Sequence, residues 1–156
     1  NCRDNNLDGF CDSPYVINQN NQDNFPLVYL NLLFVEGTPI VGRSFKININ
    51  DPLDAGKMYI TLFSFSKTPV FQLSDGRTIY LTLDGLLFSV LVNPSNPFFQ
   101  NTQGTLDQNG KSVVTVNVPN EPLLSGASIY TALIVIDSGA PSGIARISHT
   151  QKITIT

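Results

Sequence analysis

The residues best suited to chemistry stand at the start of the chain, where oxygen-bearing side chains recur at every second position. Asp4, Asn6 and Asp8 alternate in this way, a glycine follows, and a further carboxylate stands at Asp12. Calcium takes six to eight oxygen ligands at loose geometry, and alternating Asp and Asn side chains can supply them. The spacing therefore predicts a Ca²⁺ site in this segment.

The two cysteines of the chain, Cys2 and Cys11, bracket the same segment. Such a pair can be free thiols, metal ligands or a disulfide. Zinc would need further Cys or His ligands nearby, whereas the one histidine, His149, is far away in the sequence. We therefore expect a Cys2–Cys11 disulfide, which would stabilise the loop by about 2–3 kcal/mol in the chain-entropy model. A disulfide beside a calcium loop indicates a secreted, extracellular protein.

Residues 4–12 resemble the calcium loops of thrombospondin type 3 repeats, dockerins and EF-hands, which share the core D-x-[DN]-x-D-G. The resemblance implies that Phe10 offers its backbone carbonyl and that Asp12 binds directly or through water. An EF-hand has a bidentate Glu where this chain has Tyr15, so the cysteine-flanked thrombospondin-like loop fits better. The alternative is an Asx-rich turn without a metal. The implied Ca²⁺ ligands are Asp4, Asn6, Asp8, Phe10 and Asp12.

Catalytic groups are scarce in this sequence. Nucleophilic catalysis needs a nucleophile, a base and an orienting group, and His149 stands in an expected terminal strand. The only glutamates, Glu36 and Glu121, stand beside glycine or proline in expected loops. Asp51 and Asp54 are candidates for a second calcium site, with a capped turn as the favoured alternative. We therefore expect no enzymatic activity.

Composition excludes several classes of partner. Charged residues make up 13% of the 156 residues, about half of the typical fraction of roughly 25%. The net charge is −3 and lysines and arginines do not cluster, so nucleic acid is not an expected partner. No run of about 18 apolar residues is present, so we expect no helix that spans a membrane.

Short apolar or alternating segments punctuated by Gly, Pro, Asn and Asp predict an all-β protein. We expect a single antiparallel β-sandwich, Ig-like or jelly-roll-like, of about eight or nine strands. The sandwich should comprise residues 25–156, and residues 1–24 should form an N-terminal extension that holds the calcium loop and a polar linker at 19–24. The expected strands are 14–18, 27–35, 43–49, 57–65, 70–73, 78–83, 86–92, 113–118, 129–136 and 144–155.

The segment 27–35 is apolar at nearly every position, which is typical of a strand covered on both faces. Such a strand can complete the sheet of a neighbouring molecule or can be the central strand of its own sandwich. The segments 14–20 and 151–156 are alternative exchanged strands. The candidate intersubunit residues are Leu27, Val28, Tyr29, Leu30, Leu32, Leu33, Phe34 and Val35.

Residues 40–156 are similar to a β-sandwich module found at the C-terminal ends of large secreted proteins of environmental bacteria. That resemblance implies an extracellular structural or adhesive role without enzymatic activity. The segments that carry it are Gly42–Phe45, Leu83-Asp84, Thr105–Gly110, Val118–Gly126, Ile129–Ala132 and Ser148.

Two functional hypotheses follow from the sequence. In the first, the protein is a calcium-stabilised subunit of a self-assembling extracellular filament or matrix fibre, in which neighbouring copies exchange a strand. In the second, it is a non-catalytic binding or adhesion module of a larger secreted protein, with carbohydrate or a cell-surface protein as its partner. The first predicts a homo-oligomer or polymer, and the second predicts a monomer.

Overall fold

The computed structural model describes the backbone of residues 15–18 and 21–23 and the whole of residues 32–156. The chain divides into two compact units, Asn1–Asn31 and Leu32–Thr156. In the first unit, β1 (Tyr15–Asn18) pairs antiparallel with β2 (Asn21–Asp23). The strand expected at 14–18 is therefore confirmed, and the expected linker contains a second strand.

Several predictions from the sequence fall outside the described residues. They are the calcium ligands Asp4, Asn6, Asp8, Phe10 and Asp12, the Cys2–Cys11 disulfide, and the part of the candidate intersubunit strand from Leu27 to Leu30.

The second unit consists mainly of strands, with one α-helix, α1 (Gly85–Val92). In chain order the strands are β3 (Leu33–Glu36), β4 (Ser44–Asn50), β5 (Met58–Ser64), β6 (Phe71–Gln72), β7 (Thr78–Ile79), β8 (Phe99–Gln100), β9 (Gln103–Thr105), β10 (Lys111–Asn117), β11 (Ser128–Ile136), β12 (Ile144–Ile147) and β13 (Gln151–Thr154). Short 3₁₀ turns lie at Pro52–Asp54, Pro122–Leu124 and Pro141–Gly143.

These strands form the predicted all-β sandwich from two antiparallel sheets. In sheet I the spatial order is β3-β4-β10-β8, and in sheet II it is β12-β11-β5-β9, with β13 also paired to β11. Strand β4 shows the alternation that the sequence predicted, because Phe45 and Ile47 are buried and Lys46 between them is exposed. The rings of Phe63 in β5 and Phe99 in β8 lie 4.6 Å apart between their centroids and so join the two sheets.

Sheet II is covered on both faces, so the second unit has three layers. Successive side chains of a strand point to opposite faces, and both Leu133 and Ala132 of β11 are fully buried. Ala132 belongs to an apolar cluster that includes Leu62 of β5, Ile79 of β7 and Leu87 of α1. The hairpin β6–β7 and the helix therefore form the third layer, on the side of sheet II that faces away from sheet I.

Helix α1 corrects the strand that was expected at 86–92. Periodicity alone does not separate a short apolar strand from a buried helical segment, and in the folded protein Asp84 stands at the N-cap of the helix. Its Oδ1 accepts a hydrogen bond of 2.9 Å from the Leu87 N–H. Its Oδ2 accepts bonds from the Phe65 N–H at 2.7 Å and from Ser64 Oγ at 2.8 Å. One carboxylate thus starts the helix and ties it to the end of β5.

The terminal segment 144–155 also differs from the expectation, because it forms two strands. Between them, the Leu133 N–H of β11 donates to Ser148 Oγ, and the Ser148 N–H donates to the Leu133 carbonyl, each at 2.8 Å. The side-chain oxygen of Ser148 replaces a backbone acceptor and interrupts the regular ladder. His149 therefore lies between β12 and β13 rather than within a strand.

We predict that Asp84→Ala destabilises the protein strongly. The change removes a helix cap, which costs about 0.5–2 kcal/mol, and leaves partly buried donors unpaired, at about 1–3 kcal/mol. Urea denaturation should show the combined loss, whereas Ser89→Ala on the exposed side of the same helix should change stability little. Equal midpoints for the two variants would contradict the role given to Asp84.

Candidate functional site

Strand β3 forms an edge of sheet I. It pairs antiparallel with β4 on one side, with Leu33 opposite Ile49 and Val35 opposite Ile47. On its other side, no strand within residues 32–156 pairs with it. The described part of the candidate intersubunit strand therefore belongs to the sheet of its own chain and leaves one edge open there.

The backbone groups that this edge presents follow from the ladder. The Asn50 N–H donates to the Leu32 carbonyl at 3.0 Å, so Leu32 and Asn50 are a hydrogen-bonded pair. Such pairs alternate along an antiparallel ladder, and Phe34 and Glu36 are therefore also bonded to β4. The N–H and C=O groups of Leu33, and likewise those of Val35, point away from β4 toward the open edge.

The side chains of β3 alternate as well, and this corrects part of the sequence interpretation. Leu33 is 1% exposed, whereas Phe34 is 45% exposed. The expectation of a strand covered on both faces is therefore wrong for its described part. Phe34 stands opposite Asn48, which in turn stands opposite Val113 of β10, and Val113 is 39% exposed. On the outer face of sheet I, two partly exposed apolar side chains, Phe34 and Val113, therefore stand on either side of the polar Asn48.

Edge strands of monomeric proteins usually carry features that prevent pairing with other chains, such as lysines, prolines, inward charges or bulges. Strand β3 reads Leu-Phe-Val-Glu, and its pairing with β4 has no register shift. Its one charge, on Glu36, accepts a hydrogen bond of 2.7 Å from Asn48 Nδ2 and lies at the end of the strand. The centre of the edge is therefore free of these obstacles.

The C-terminal segment 151–156, an alternative exchanged strand, is held within its own chain. Strand β13 pairs with β11 through four residues from Gln151 to Thr154. Beyond it, the Thr156 N–H donates to the Pro39 carbonyl at 2.7 Å, and the Val41 N–H donates to the Thr156 carbonyl at 3.0 Å. Within residues 32–156, β3 and β13 each pair with a single strand, but the chain beyond β13 is also bonded at Thr156 to the segment that follows β3.

The second calcium candidate, Asp51 and Asp54, is a cluster of ion pairs. Arg146 Nε lies 3.1 Å from Asp51 Oδ2 and 2.8 Å from Asp54 Oδ2. Lys57 Nζ lies 2.7 Å from Asp54 Oδ1 and 2.8 Å from Asp137 Oδ2. Cationic side chains thus occupy these carboxylates, and residues 32–156 contain no group of three or more acidic, His or Cys side chains placed to hold a metal. The cluster does not fit a calcium site.

A third candidate is the helix patch, which we define as Phe65, Leu83, Phe88 and Val92. All four side chains are exposed, from 52% for Leu83 to 81% for Val92. The hydrogen bond from the Phe65 N–H to Asp84 brings the end of β5 beside the start of α1. The sequence did not predict this patch, because it assigned 86–92 to a strand.

Comparison with known proteins does not assign a family. The chain matches no protein-family model and no curated protein sequence. In the part of the chain that the structure describes, no helix has both the length and the apolar character needed to cross a membrane. The resemblance of residues 40–156 to secreted bacterial modules therefore stays an expectation from the sequence.

We predict that amide hydrogen exchange will report the open edge in dilute, monomeric protein. The Phe34 and Glu36 amides should be protected because they bond to β4, whereas the Leu33 and Val35 amides should exchange fast. NMR-detected exchange resolves the four amides within one strand, so each pair serves as the control for the other. Strong protection of Leu33 and Val35 in the monomer would show that the edge is already covered.

Proposed function

We propose that this protein is an extracellular structural subunit that assembles into a surface filament or matrix fibre by exchange of a strand between neighbouring copies. The observation that carries the proposal is the open edge of β3. An incoming strand would bond to the outward N–H and C=O groups of Leu33 and Val35. It would also cover the exposed ring of Phe34.

The energetics indicate what the incoming strand must provide. The net contribution of each backbone hydrogen bond is about 0.5–1.5 kcal/mol, so the few bonds available at β3 give only weak association. Burial of apolar area, at about 25 cal/mol per Å², has to supply the rest. The donor should therefore be apolar and extended.

The apolar segment from Leu27 to Leu30 has the composition that this donor requires. It directly precedes β3 in the sequence, so every copy would bring both a donor segment and an acceptor edge. A contact between two different surfaces of the same molecule propagates head to tail and gives an open filament. Strand addition of this kind obtains its strength from main-chain hydrogen bonds and its register from alternate side chains.

The N-terminal calcium loop and disulfide would complete this design. Ca²⁺ held by the loop of residues 4–12 and a Cys2–Cys11 bridge would restrict the conformations of the segment that precedes the donor. Restriction before assembly lowers the entropy lost when the donor docks. Secretion is part of the same proposal, because both devices belong to oxidising, calcium-rich surroundings.

The helix patch favours a second function, that of a non-catalytic adhesion module. Several large exposed apolar side chains around one helix can form a site that binds another protein, and Phe65 and Phe88 have aromatic faces that also suit sugar rings. This alternative predicts a monomer whose partner covers the patch and leaves the edge of β3 free.

We predict that Phe34→Lys abolishes assembly and leaves the monomer folded. A lysine at the centre of an edge strand opposes strand addition, and the exposed position tolerates the charge. Negative-stain electron microscopy and light scattering should show fibres for the wild type and none for the variant. The matched control is Leu123→Lys, since Leu123 is 88% exposed outside the sheets and receives the same change of charge.

Val35→Pro offers an independent test of the same edge, because it removes one outward N–H without removing a bond to β4. Fibres formed equally by Phe34→Lys and Val35→Pro would exclude the edge of β3 as the assembly site. A wild type that stays monodisperse at high concentration would favour the adhesion module.

We predict that a chelator lowers the thermal midpoint, because an ion bound only by the folded state stabilises it by mass action. Extracellular modules bind Ca²⁺ with dissociation constants of about 10⁻⁴–10⁻³ M, so the effect should require millimolar Ca²⁺. Asp8→Ala should abolish the shift, whereas Asn5→Ala, between two ligand positions, should retain it. Calorimetry with and without chelator measures the shift of the thermal midpoint in both variants. A shift in Asp8→Ala as large as in the wild type would contradict the predicted ligand set.

A further inference from the structure

The ion-pair cluster around Arg146 lies outside the proposed assembly site, and its charges do not balance. Asp51, Asp54 and Asp137 supply three carboxylates, whereas Lys57 and Arg146 supply two cations. With all groups ionised, the cluster has a net charge of −1. Asp51 and Asp54 are only 1% and 4% exposed, so water cannot offset this charge effectively.

The geometry shows which carboxylate lacks a donor. Arg146 Nε has a single N–H, and it donates to Asp54 Oδ2 at 2.8 Å. Asp51 Oδ2 lies 3.1 Å from the same nitrogen but has no hydrogen-bond partner although it is buried. If this oxygen is ionised, it lies near a positive charge but accepts no hydrogen bond. A proton on Asp51 would satisfy it, with the Asp54 carboxylate as the neighbouring acceptor.

The backbone holds Asp51 in this position. Its N–H donates to the Gly110 carbonyl at 2.8 Å, and its carbonyl accepts from the Asp54 N–H at 3.2 Å. Gly110 has a φ of +72°, and a Cβ at this position would overlap the Asp51 backbone. Arg146 belongs to β12 of sheet II, where it stands opposite Val135. The cluster therefore joins the end of β4 in sheet I to sheet II, and Asp51 has little freedom to move away.

We propose that the cluster is a proton-binding site in which Asp51 and Asp54 share one proton, and that this proton strengthens the link between the two sheets in mildly acidic surroundings. The charged groups that act on the Asp51 carboxyl are Asp54, from the turn after β4, and Arg146, from β12. Lys57 and Asp137 belong to the same cluster through the ion pair of Lys57 with Asp54.

The direction of the pKa changes agrees with this assignment. Burial, together with the negative charge of Asp54, raises the pKa of Asp51 from 3.8 to about 6 against the attraction of Arg146. Burial also acts to raise the pKa of Asp54, but hydrogen bonds from Lys57 and Arg146 outweigh it, so that this pKa is lowered. Asp51 is therefore the carboxyl that holds the proton and Asp54 the one that stays ionised.

The consequence for stability is confined to a window of pH. Between about pH 6 and 3.8, the folded protein holds a proton on Asp51 that the unfolded chain has lost. Stability therefore rises as the pH falls through this window, by up to about tenfold in the folded-to-unfolded ratio per pH unit. Below about pH 3.8 the unfolded chain takes up protons that Asp54 and Asp84, whose pKa values are lowered, do not yet bind in the folded protein. Their contribution to stability is therefore lost as the pH falls toward these lowered pKa values.

The experiment measures urea denaturation of the full chain at pH 7 and pH 4.5. The folded-to-unfolded ratio of the wild type should be at least about tenfold larger at pH 4.5. Asp51→Asn, which mimics the protonated acid, should remove most of this difference. The control Glu121→Gln, an exposed site that loses the same charge, should keep it.

A second measurement does not depend on any variant. Carbon-detected NMR of the wild-type Asp51 carboxyl should show its titration near pH 6 while the fold persists. Titration at or below pH 3.8 would overturn the proposal, as would an Asp51→Asn protein with the pH dependence of the wild type. None of these readouts requires assembly, so failure of this inference is distinguishable from failure of the filament proposal.

Discussion

Burial of strand β11 on both faces is the constraint on which the rest of the second unit depends. Seven of its residues stand opposite residues of β5, and its other side is divided between β12 and β13. Since the backbone polar groups of such a strand are removed from water, each must find a partner within the protein. The strands that supply these partners, and the layers that cover the two faces, define the sandwich.

The third layer follows from the same constraint. An antiparallel sheet commonly leaves one face in water and has polar residues there, but the face of sheet II that is turned away from sheet I contains Leu62 and Ala132. That apolar face requires a cover, which α1 and the hairpin β6–β7 provide. The connection from β5 to the helix is made by one partly buried carboxylate, Asp84, because an N-cap and a strand end each have a free N–H to satisfy.

Sheet I has the opposite character, and this difference places the candidate functional site. Its outer face is polar around Lys46 and Asn48, and it ends at the short strand β3. A closed barrel would leave no edge, whereas an open sandwich must leave some. Within residues 32–156, one such edge of sheet I is the uncharged stretch Leu33–Val35, with the aromatic side chain of Phe34 at its centre. The proposed assembly therefore uses the unpaired side of an edge strand. The sandwich architecture leaves this side open, and the sequence of β3 has no lysine or proline to block it.

The sequence by itself determined the class of fold and much of its local structure. Alternation in β4 and the apolar run of β11 predicted strands that lie within two residues of the observed ones, because the period of a strand depends on neighbouring residues alone. The expected strands 70–73 and 78–83 contain β6 and β7, which pair with each other. The alternating acidic residues 4–12 remain a prediction of the sequence, outside the described residues.

Only the tertiary structure decided the features that depend on partners distant in the chain. Whether 86–92 is strand or helix depended on what covers sheet II, since an apolar run fits either. The pairing of Asp54 with Arg146 joins residues 92 positions apart, and no local pattern predicts which arginine will meet a buried carboxylate. The same holds for β3, because its composition suits a central strand and only the order of strands in the folded sheet placed it at an edge.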